Sequence, residues 1–358
     1  MFVVFALLCA LQNDVCRPVM LPQSTTNKAA CDPNIARQFV EEWLANHPVP
    51  LRTKSISCLS LTSHTDHSML PDDRLTLSFT AIAPGVYVHI GPIGLPGDEN
   101  KGNWSNIAFV IGQKAVAVID SGGSRAVGEA TLRAVRQVTT QPVRYVILGH
   151  MHPDHVYGAT VFQEAGAQIV AHHALDEALQ IRAGNYHHNM QQQVGLRNFI
   201  GSALPEPDIE IKHETTLDLG GRSLRLTPFA TAHTNNDLVV LDVESHILFT
   251  SDLVFLEHIP VLDGALRGWQ STLEKLSQIP AKKMVPGHGP VAHWPTGLAA
   301  TRDYLDALAA STKDHLKAGL SLSDAAPFIG RSQAPNWQLF DAYHTRNATA
   351  AYTELEWE

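Results

Sequence analysis

The chain has 358 residues, of which 44% are hydrophobic and 17% are charged, so it can bury a core and is not disordered throughout. Its net charge of −9 argues against nucleic acid as the main partner, because phosphate binding requires an excess of lysine and arginine. No apolar run approaches the ~18–20 residues needed to cross a bilayer, so we expect no membrane span. The 19 histidines are unusual beside 6 methionines and 4 cysteines, and their positions indicate the function.

The N-terminus begins with an uninterrupted apolar run over residues 2–11, FVVFALLCAL. The run has the length of a signal-peptide core but lacks the positive residues that normally precede one. We interpret the run as an export signal, with residues 1–29 as the signal peptide or N-terminal tail of a periplasmic or secreted protein; the alternative is a buried apolar segment. In an oxidising compartment Cys31 and Cys58 are expected to pair; otherwise they are ordinary free thiols.

Residues 30–72 are predicted to form a small accessory segment. Ile35, Phe39, Trp43 and Leu44 recur at helical spacing, and an alternating pattern predicts a short strand over residues 55–63. No motif in this segment indicates a chemistry.

A larger domain is predicted over residues 73–318, followed by a C-terminal extension over residues 319–358. Strands are expected at 75–80, 86–90, 106–111, 115–119, 143–148, 167–170, 214–219, 222–228, 238–243, 246–250 and 282–285. Helices are expected at 126–138, from 153, within 172–200, at 269–278 and at 297–318. Strand-rich halves that are each followed by helices predict an α+β fold, with two sheets packed face to face and helices outside.

A dense cluster of metal-binding residues follows the buried strand at 143–148, in the order Gly149-His150-Met151-His152-Pro153-Asp154-His155. Histidine and carboxylate are natural zinc ligands, and a loop lets close neighbours in sequence converge on one point. His150 and His152 are two residues apart and point the same way in an extended chain. Asp154 and His155 begin the next helix and point elsewhere, which suits a second metal.

Three more candidates, His233, Asp252 and His288, are each expected just after a strand. Each alone is a weak signal, because a single histidine after a strand is more often an ordinary hydrogen-bonded residue. Their repeated placement carries the prediction, since loops at one edge of a sandwich bring distant ligands together. Glycines on both sides of His288 allow the sharp turn and close approach that a ligand there requires.

The pattern His150-x-His152-x-Asp154-His155, followed by His233, Asp252 and His288, resembles the metallo-β-lactamase superfamily over about residues 75–310. The resemblance implies an αββα four-layer sandwich with two zinc ions at one edge of the sheets. It assigns the ligands as His150, His152 and His233 for the first metal, Asp154, His155 and His288 for the second, and Asp252 as the bridge. Asp120 matches a position that supports the metal loop without being a ligand.

The residue type at position 252 distinguishes subgroups of this superfamily, because dedicated β-lactamases usually carry cysteine or serine there and glyoxalase II-type hydrolases carry aspartate, as this chain does. Residues 83–155 more closely resemble the quinoprotein relay system zinc metallohydrolases, which are exported proteins associated with periplasmic quinoprotein oxidation. One departure from that pattern is the segment from His233 to Asp237, where relatives commonly have a glycine in the middle.

These features predict a zinc-dependent hydrolase of small molecules, in which water activated by two zinc ions attacks a thioester, ester, lactone or amide carbonyl. Asp154 and Asp252 are the catalytic candidates, since they balance part of the metal charge and Asp252 would set the metal separation. Weak β-lactamase activity is compatible with this site. The alternatives are an iron-dependent sulfur, persulfide or oxygen enzyme, or a non-catalytic metal-containing binding or relay protein. The His-rich stretch 172–198 is either a wall over the metals that selects substrates or a solvated helical excursion.

Overall fold

The computed structural model of the chain describes residues 2–11, 14–22, 31–60 and 75–358. Its strands are β1 Phe2–Ala10, β2 Cys16–Leu21, β3 Leu51–Ser60, β4 Thr80–Ala83, β5 Val86–His89, β6 Ile107–Ile111, β7 Val116–Ile119, β8 Val143–Ile147, β9 Gln168–His172, β10 Ile209–Ile211, β11 Thr215–Asp218, β12 Ser223–Pro228, β13 Leu238–Asp242, β14 Ile247–Phe255, β15 Lys283–His288 and β16 Ala292–His293.

The helices are α1 Pro33–Asn46, α2 Arg125–Val138, α3 Pro153–Val156, α4 Thr160–Glu164, α5 Leu175–Val194, α6 Leu196–Phe199, α7 Leu266–Leu276, α8 Ala299–Lys317, α9 Leu322–Ala325 and α10 Phe340–Leu355, with short 3₁₀ helices at Thr296–Leu298 and Arg331–Asn336. Within the described residues, no helix is both long and apolar enough to cross a bilayer.

Two sheets form the centre of the larger domain. One has seven strands in the order β10-β9-β8-β7-β6-β5-β4, and the other has six strands in the order β11-β12-β13-β14-β15-β16. The pairs β7–β8 and β8–β9 are parallel, as is β14–β15, because helices connect these strands across a face of each sheet. β6, β7 and β14 are buried along nearly their whole length because both of their faces are covered.

Three layers of apolar side chains fill the spaces between these elements. Val110, Ile147 and Phe249 belong to the core between the two sheets. The outer face of the seven-stranded sheet packs on α2, α4 and α5, and the outer face of the six-stranded sheet packs on α7, α8 and α10. The order of layers is therefore helix, sheet, sheet, helix, which confirms the predicted αββα sandwich.

The apolar run at the N-terminus is a structural strand. β1 is the central strand of a three-stranded sheet in the order β2-β1-β3, with α1 packed on the sheet and Val4, Ala6 and Leu8 buried beneath it. Because β3 comes from the predicted accessory segment, the boundary predicted at residue 29 divides one sheet. Of the two interpretations of residues 2–11, the structure supports the buried apolar segment; residues 23–30 and 61–74 lie outside the described residues.

The small sheet is attached to the main domain through buried charges. Arg17 in β2 forms an ion pair with Glu129 in α2 and donates to the carbonyl of Ile200 at 3.0 Å. Arg125, which is fully buried, pairs with Glu129 and Glu164 on the same side. The small sheet therefore packs directly on the larger domain.

Two disulfides lie in this N-terminal region, Cys31–Cys58 and Cys9–Cys16. The first confirms the predicted pairing. The second joins residues that lie opposite one another in the β1–β2 hairpin, and the sequence analysis did not predict it.

Most predicted elements lie within a few residues of their observed bounds. The main differences are at one strand start, at one strand end and in the C-terminal extension. The strand predicted at residues 75–80 begins only at Thr80; Leu77 is buried in the core, but residues 75–79 pair with no strand among the described residues. The predicted strand at 246–250 continues to Phe255. Helix α10 occupies the C-terminal extension, to which no structure was assigned, and packs on α8 and α7.

Candidate metal centre

The segment that follows β8 supplies four of the seven predicted ligands. His152 has extended backbone angles, and Pro153 starts α3, where its fixed φ suits the first helical position. Asp154 and His155 therefore stand on the first turn of a helix, while His150 and His152 precede it. This change of backbone direction separates the four residues into two groups of ligand atoms.

The six-stranded sheet supplies the other three. His233 lies in the turn between β12 and β13, and His288 is the last residue of β15. Asp252 was expected after a strand but lies within β14, whose pairing with β15 shifts register on both sides of Ser251. Ser251 has a φ of 45°, and this local irregularity directs the Asp252 carboxylate towards the histidines.

The first group consists of His150, His152 and His233, with Asp252 beside them. His233 Nε2 lies 3.2 Å from His150 Nε2 and 3.0 Å from His152 Nδ1. Asp252 Oδ2 lies 3.5 Å from His233 Nε2 and 3.7 Å from His150 Nε2. These ligand atoms all lie within 4.8 Å of one another, so a single ion can contact all of them.

The second group consists of Asp154, His155 and His288. Asp154 Oδ2 lies 3.3 Å from His288 Nε2 and 3.5 Å from His155 Nε2. Asp252 also reaches this group, since its Oδ1 lies 3.2 Å from His155 Nε2 and its Oδ2 lies 3.5 Å from His288 Nε2. Asp252 is thus the one member of the seven predicted ligands that faces both groups.

The outer ring nitrogen of each of the five histidines lies beside an oxygen of the protein, and such contacts fix ring orientation. The pairs are His150 with Ser251 Oγ at 3.3 Å, His152 with Asp263 Oδ2 at 3.0 Å, His155 with Asp120 Oδ2 at 2.9 Å, His233 with the Val261 carbonyl at 2.6 Å, and His288 with the Trp104 carbonyl at 3.0 Å. The inner nitrogen of every ring is therefore directed at the ligand groups.

Asp120 has the supporting position that the sequence predicts. Its Oδ1 accepts from the Gly149 amide at 2.7 Å, and its Oδ2 accepts from Ser251 Oγ at 3.1 Å. Asp120 itself has a φ of 57°, which is uncommon outside glycine and is often found at functional sites. The carboxylate ties the loop after β8 to the irregular point of β14.

The glycine before His288 allows the ligands carried by the neighbouring strands β14 and β15 to approach each other. A Cβ at Gly287 would overlap Asp252 Oδ1, so no larger residue fits there without moving the carboxylate. Asn106 braces the same turn by donating to the carbonyls of Pro286 and Gly289 at 2.8 Å each. This close packing explains the glycine noted in the sequence.

The donor set fits metal ions. His155 Nε2 and Asp252 Oδ1 are buried and make no hydrogen bond, although buried polar atoms nearly always have a partner. Both atoms lie in the space between the ligand groups, where a cation would satisfy them. Imidazole and carboxylate donors suit zinc, and imidazole also suits iron.

Two histidines of the first group, His150 and His233, have lowered pKa values. Burial lowers the pKa of His150 well below its ordinary value, and the neighbouring His155 lowers it further. Burial and the neighbouring His152 lower the pKa of His233 to about 3. Both rings therefore keep a free lone pair at neutral pH.

The second group is a set of charged pairs. Burial opposes protonation of His288, but the carboxylates of Asp252 and Asp154 outweigh it and raise its pKa to about 9. Burial likewise opposes protonation of His155, and Asp252 and Asp154 raise its pKa well above the ordinary value. The pKa of Asp154 is raised by burial but lowered more by His155 and His288, to about 2.

The turn after His233 lacks the glycine common in relatives and is held by side chains instead. Asp237 accepts from the Thr234 amide at 2.9 Å and from Thr234 Oγ1 at 2.7 Å. Neither residue has a positive φ, so this turn does not need glycine.

Helix α5 carries most of the His-rich stretch, and its residues divide between two places. His187 and His188 line a cleft of about 1030 Å³ between α5 and α1 rather than the metal centre. Tyr186 is partly buried against the apolar core of the seven-stranded sheet; burial raises its pKa, and the charges of Asp263 and Asp154 add to this. Tyr186 is therefore within electrostatic reach of the predicted ligand Asp154.

Several residues around the centre were not predicted. The His258 ring lies 4.9 Å from the His288 ring and 5.3 Å from the Tyr343 ring, and Asp263 receives a hydrogen bond from His152. Tyr343 belongs to the C-terminal helix α10. No sequence motif surrounds these residues, so only the fold could reveal them.

A sequence model of the Metallo-beta-lactamase superfamily matches residues 103–288, just over half of the chain and the region that contains all seven predicted ligands. The chain belongs to this superfamily. The match agrees with the four-layer fold and with the placement of the histidines and carboxylates.

Individual relatives are distant. The putative diflavin flavoprotein A 5 of Nostoc sp. is 27% identical over 58% of this chain, which spans only 37% of that relative's length. A metallo-beta-lactamase from Pontibacter korlensis has a TM-score of 0.53 at 22% identity, covering 64% of this chain and 99% of that one. The inverting sec-alkylsulfatase Pisa1 from Pseudomonas sp. has a TM-score of 0.60 at 16% identity, covering 78% of this chain and 50% of that one. These structures share the fold.

Proposed function

We propose that the chain is a dinuclear zinc hydrolase that cleaves thioester, ester, lactone or amide bonds of small molecules. The observation that carries the proposal is Asp252, whose two oxygens lie within 3.2–3.7 Å of imidazole nitrogens of both ligand groups. A carboxylate in that position suits a bridge between two cations.

When bound, two zinc ions supply an activated water molecule and polarise the substrate carbonyl. The residues of the chain hold the reacting groups in place. Asp252 sets the distance between the two ligand groups, and Asp154 and Asp252 balance part of the metal charge. The buried histidine rings, each fixed through its outer nitrogen, keep the ligand geometry rigid.

Carbonyl esters and thioesters are favoured over β-lactams in this proposal. Opening a β-lactam frees a ring nitrogen that needs stabilisation as it takes up negative charge, and an Asp252 shared between both ligand groups would leave a metal in the second group less able to provide it. We expect kcat/KM for the best thioester or ester to exceed that for the best β-lactam by at least about tenfold.

A substrate panel with metal analysis tests the proposal. The panel includes thioesters, esters, lactones and β-lactams, and also alkyl sulfates because one structural neighbour is an alkylsulfatase. Two zinc ions per chain and turnover of a carbonyl ester or thioester are expected. A β-lactam as the best substrate would contradict the bridging role of Asp252, and one metal or none in protein purified without chelators would contradict the dinuclear site.

A second candidate is a redox enzyme of the same fold that uses iron, and a relative named as a flavoprotein favours it. Imidazole and carboxylate ligands accept iron as well as zinc. Iron as the main metal of the purified protein, with no turnover of the panel, would select this candidate. Bound metal with neither activity would select a non-catalytic binding or relay role.

We also propose that the protein is exported to the periplasm or beyond and belongs with the quinoprotein relay system zinc metallohydrolases. The two disulfides support export, because disulfides persist in oxidising compartments. The apolar run at the N-terminus does not support it, since that run forms β1. Mass spectrometry of the protein from fractionated cells tests the proposal; reduced cysteines in a cytosolic fraction would contradict it.

A further inference from the structure

The ring of His152 is used at both of its nitrogens. Nδ1 lies 3.0 Å from His233 Nε2, within the first ligand group, and Nε2 donates to Asp263 Oδ2 at 3.0 Å. A neutral imidazole carries one N–H and one lone pair. With the proton held at Nε2 by Asp263, the lone pair of Nδ1 points at the first group.

Asp263 is itself held from two sides. Its other oxygen forms an ion pair with Arg346 of α10, and its backbone amide donates to the carbonyl of His233 at 3.2 Å. The Asp263 side chain is only 18% exposed, so its orientation is constrained. The carboxylate thus joins a ligand of the first group to the C-terminal helix.

The loop that carries Asp263 also orients a second ligand. The carbonyl of Val261 accepts from His233 Nδ1 at 2.6 Å. The loop lies between β14 and α7, and the buried Asn347 of α10 spans it by accepting from the Leu262 amide at 2.9 Å and donating to the Pro260 carbonyl at 2.6 Å. One loop, fixed by one helix, therefore orients two of the three histidines of the first group.

We propose that Asp263 is a positioning residue for His152, and that helix α10 maintains this through Arg346 and Asn347, so that the C-terminal helix is part of the first metal site. The inference rests on the proposed metal centre but not on the hydrolase activity. No residue of the second group is tied to this loop by its outer nitrogen: Asp120 holds His155 and Trp104 holds His288. The hydrogen-bonded route from α10 to an outer ring nitrogen therefore leads to the first group, whereas α10 reaches the second group only through the ring contacts of Tyr343 with His258 and of His258 with His288.

Zinc binding by the full-length protein tests the inference. Chelator competition measures the affinities of the two zinc ions in the wild type and in Asp263→Ala. Loss of an outer contact to a metal-binding histidine typically weakens binding by about 10–100-fold, and we expect that loss for one zinc with the other unchanged. Cobalt-substituted protein should show an altered ligand-field spectrum for the same single site.

The matched control is Asp341→Ala, which removes an exposed aspartate of α10 that pairs with Arg331 of the preceding 3₁₀ helix. It should leave both affinities unchanged. Arg346→Ala keeps Asp263 in place but removes its ion pair, and because Arg346 is exposed we expect a smaller, two- to fivefold weakening of the same zinc.

Equal weakening of both zinc ions in Asp263→Ala would show a general structural role and overturn the inference, as would unchanged affinities. If Asp263→Ala fails to fold, Asp263→Asn gives the answer, since it keeps the size of the side chain and removes its charge. Wild-type protein that binds two zinc ions but hydrolyses nothing would refute the proposed function and leave this inference standing. Wild-type protein that binds no metal would refute both.

Discussion

The two ligand groups of the candidate metal centre are only a few ångströms apart but differ in charge. His150 and His233 in the first group have lowered pKa values, whereas His155 and His288 in the second group have raised ones. All four rings are buried. Burial by itself therefore does not explain the difference.

The distribution of carboxylates explains it. The second group contains Asp154 as a member and has Asp120 at the outer face of His155, so two negative charges accompany its imidazoles in addition to Asp252. The first group has Asp252 and, at the outer face of His152, Asp263. An imidazole near several carboxylates is stabilised in its charged form, whereas one packed among other imidazoles is not.

This difference indicates an order of metal binding. The first group offers imidazole lone pairs at neutral pH, so a metal binds there with little proton release from His150 and His233. The second group is already neutralised internally by protons on His155 and His288, and a metal must displace them. The first group is expected to fill first.

Removal of the shared carboxylate should have the largest effect. In Asp252→Asn both groups lose the shared carboxylate; the first keeps three histidines, whereas the second keeps Asp154 and two histidines that must release protons before they bind a metal. We expect preferential loss of the second metal and a fall in kcat/KM of at least about 100-fold, beyond that of most outer contacts. Metal analysis and kinetics check this, with Asp341→Asn as an exposed control. A variant that retains both metals and its turnover would show that Asp252 does not connect the groups.

The number of protons released on metal binding should distinguish the two ligand groups directly. Because His288 has a pKa of about 9 in the metal-free protein and that of His155 is raised as well, both are protonated at pH 7. As the pH falls below 9, affinity for the second metal should decrease by about tenfold per pH unit for each proton displaced. His233, with a pKa of about 3, and His150 add no such dependence near neutrality.

Zinc calorimetry in buffers of different ionisation enthalpy measures the protons released by each binding step. The second step should release up to two more protons than the first at pH 7. Equal release in both steps would contradict the assigned charge difference, and second-site affinity that is constant from pH 7 to 9 would do the same.

The sequence was sufficient to predict which seven side chains come together, because they are rare residue types in a fixed order, each near the end of an apolar strand. His150 to His155 lie within six residues, and their separation into two groups follows from Pro153 starting a helix. The irregularity of β14 could not be predicted, since Ser251 and Asp252 have nothing in their local pattern that requires a shift of register.

The contacts at the outer ring nitrogens of the histidines could not be predicted from the sequence either, for a different reason. Asp263 and His152 are 111 residues apart, and Arg346 lies a further 83 residues along the chain from Asp263. These are ordinary surface residue types until the fold places them together. The apolar run of β1 was ambiguous because a short run without polar residues does not distinguish a buried strand from a signal-peptide core.

Ser251 provides a second, indirect contact between the two groups besides Asp252, and its loss should have the smallest effect. Its single hydroxyl proton is donated to Asp120 Oδ2 at 3.1 Å, so its oxygen accepts from His150 Nδ1 at 3.3 Å. His150 belongs to the first group, and Asp120 lies beside His155 of the second. Ser251→Ala therefore removes one weak contact from each group while leaving Asp252 in place.

We expect Ser251→Ala to weaken both metals by a similar factor of at most about fivefold, since a typical hydrogen bond contributes about 1 kcal/mol. The exposed Ser277→Ala is the control, because its hydroxyl bonds only to the neighbouring Glu274 carbonyl and the side chain of Gln278. Chelator competition distinguishes this outcome from the one-sided losses expected at Asp252 and Asp263. If Ser251→Ala weakens only the first metal, then Asp120 holds His155 without help from the hydroxyl, and the two groups are coupled through Asp252 alone.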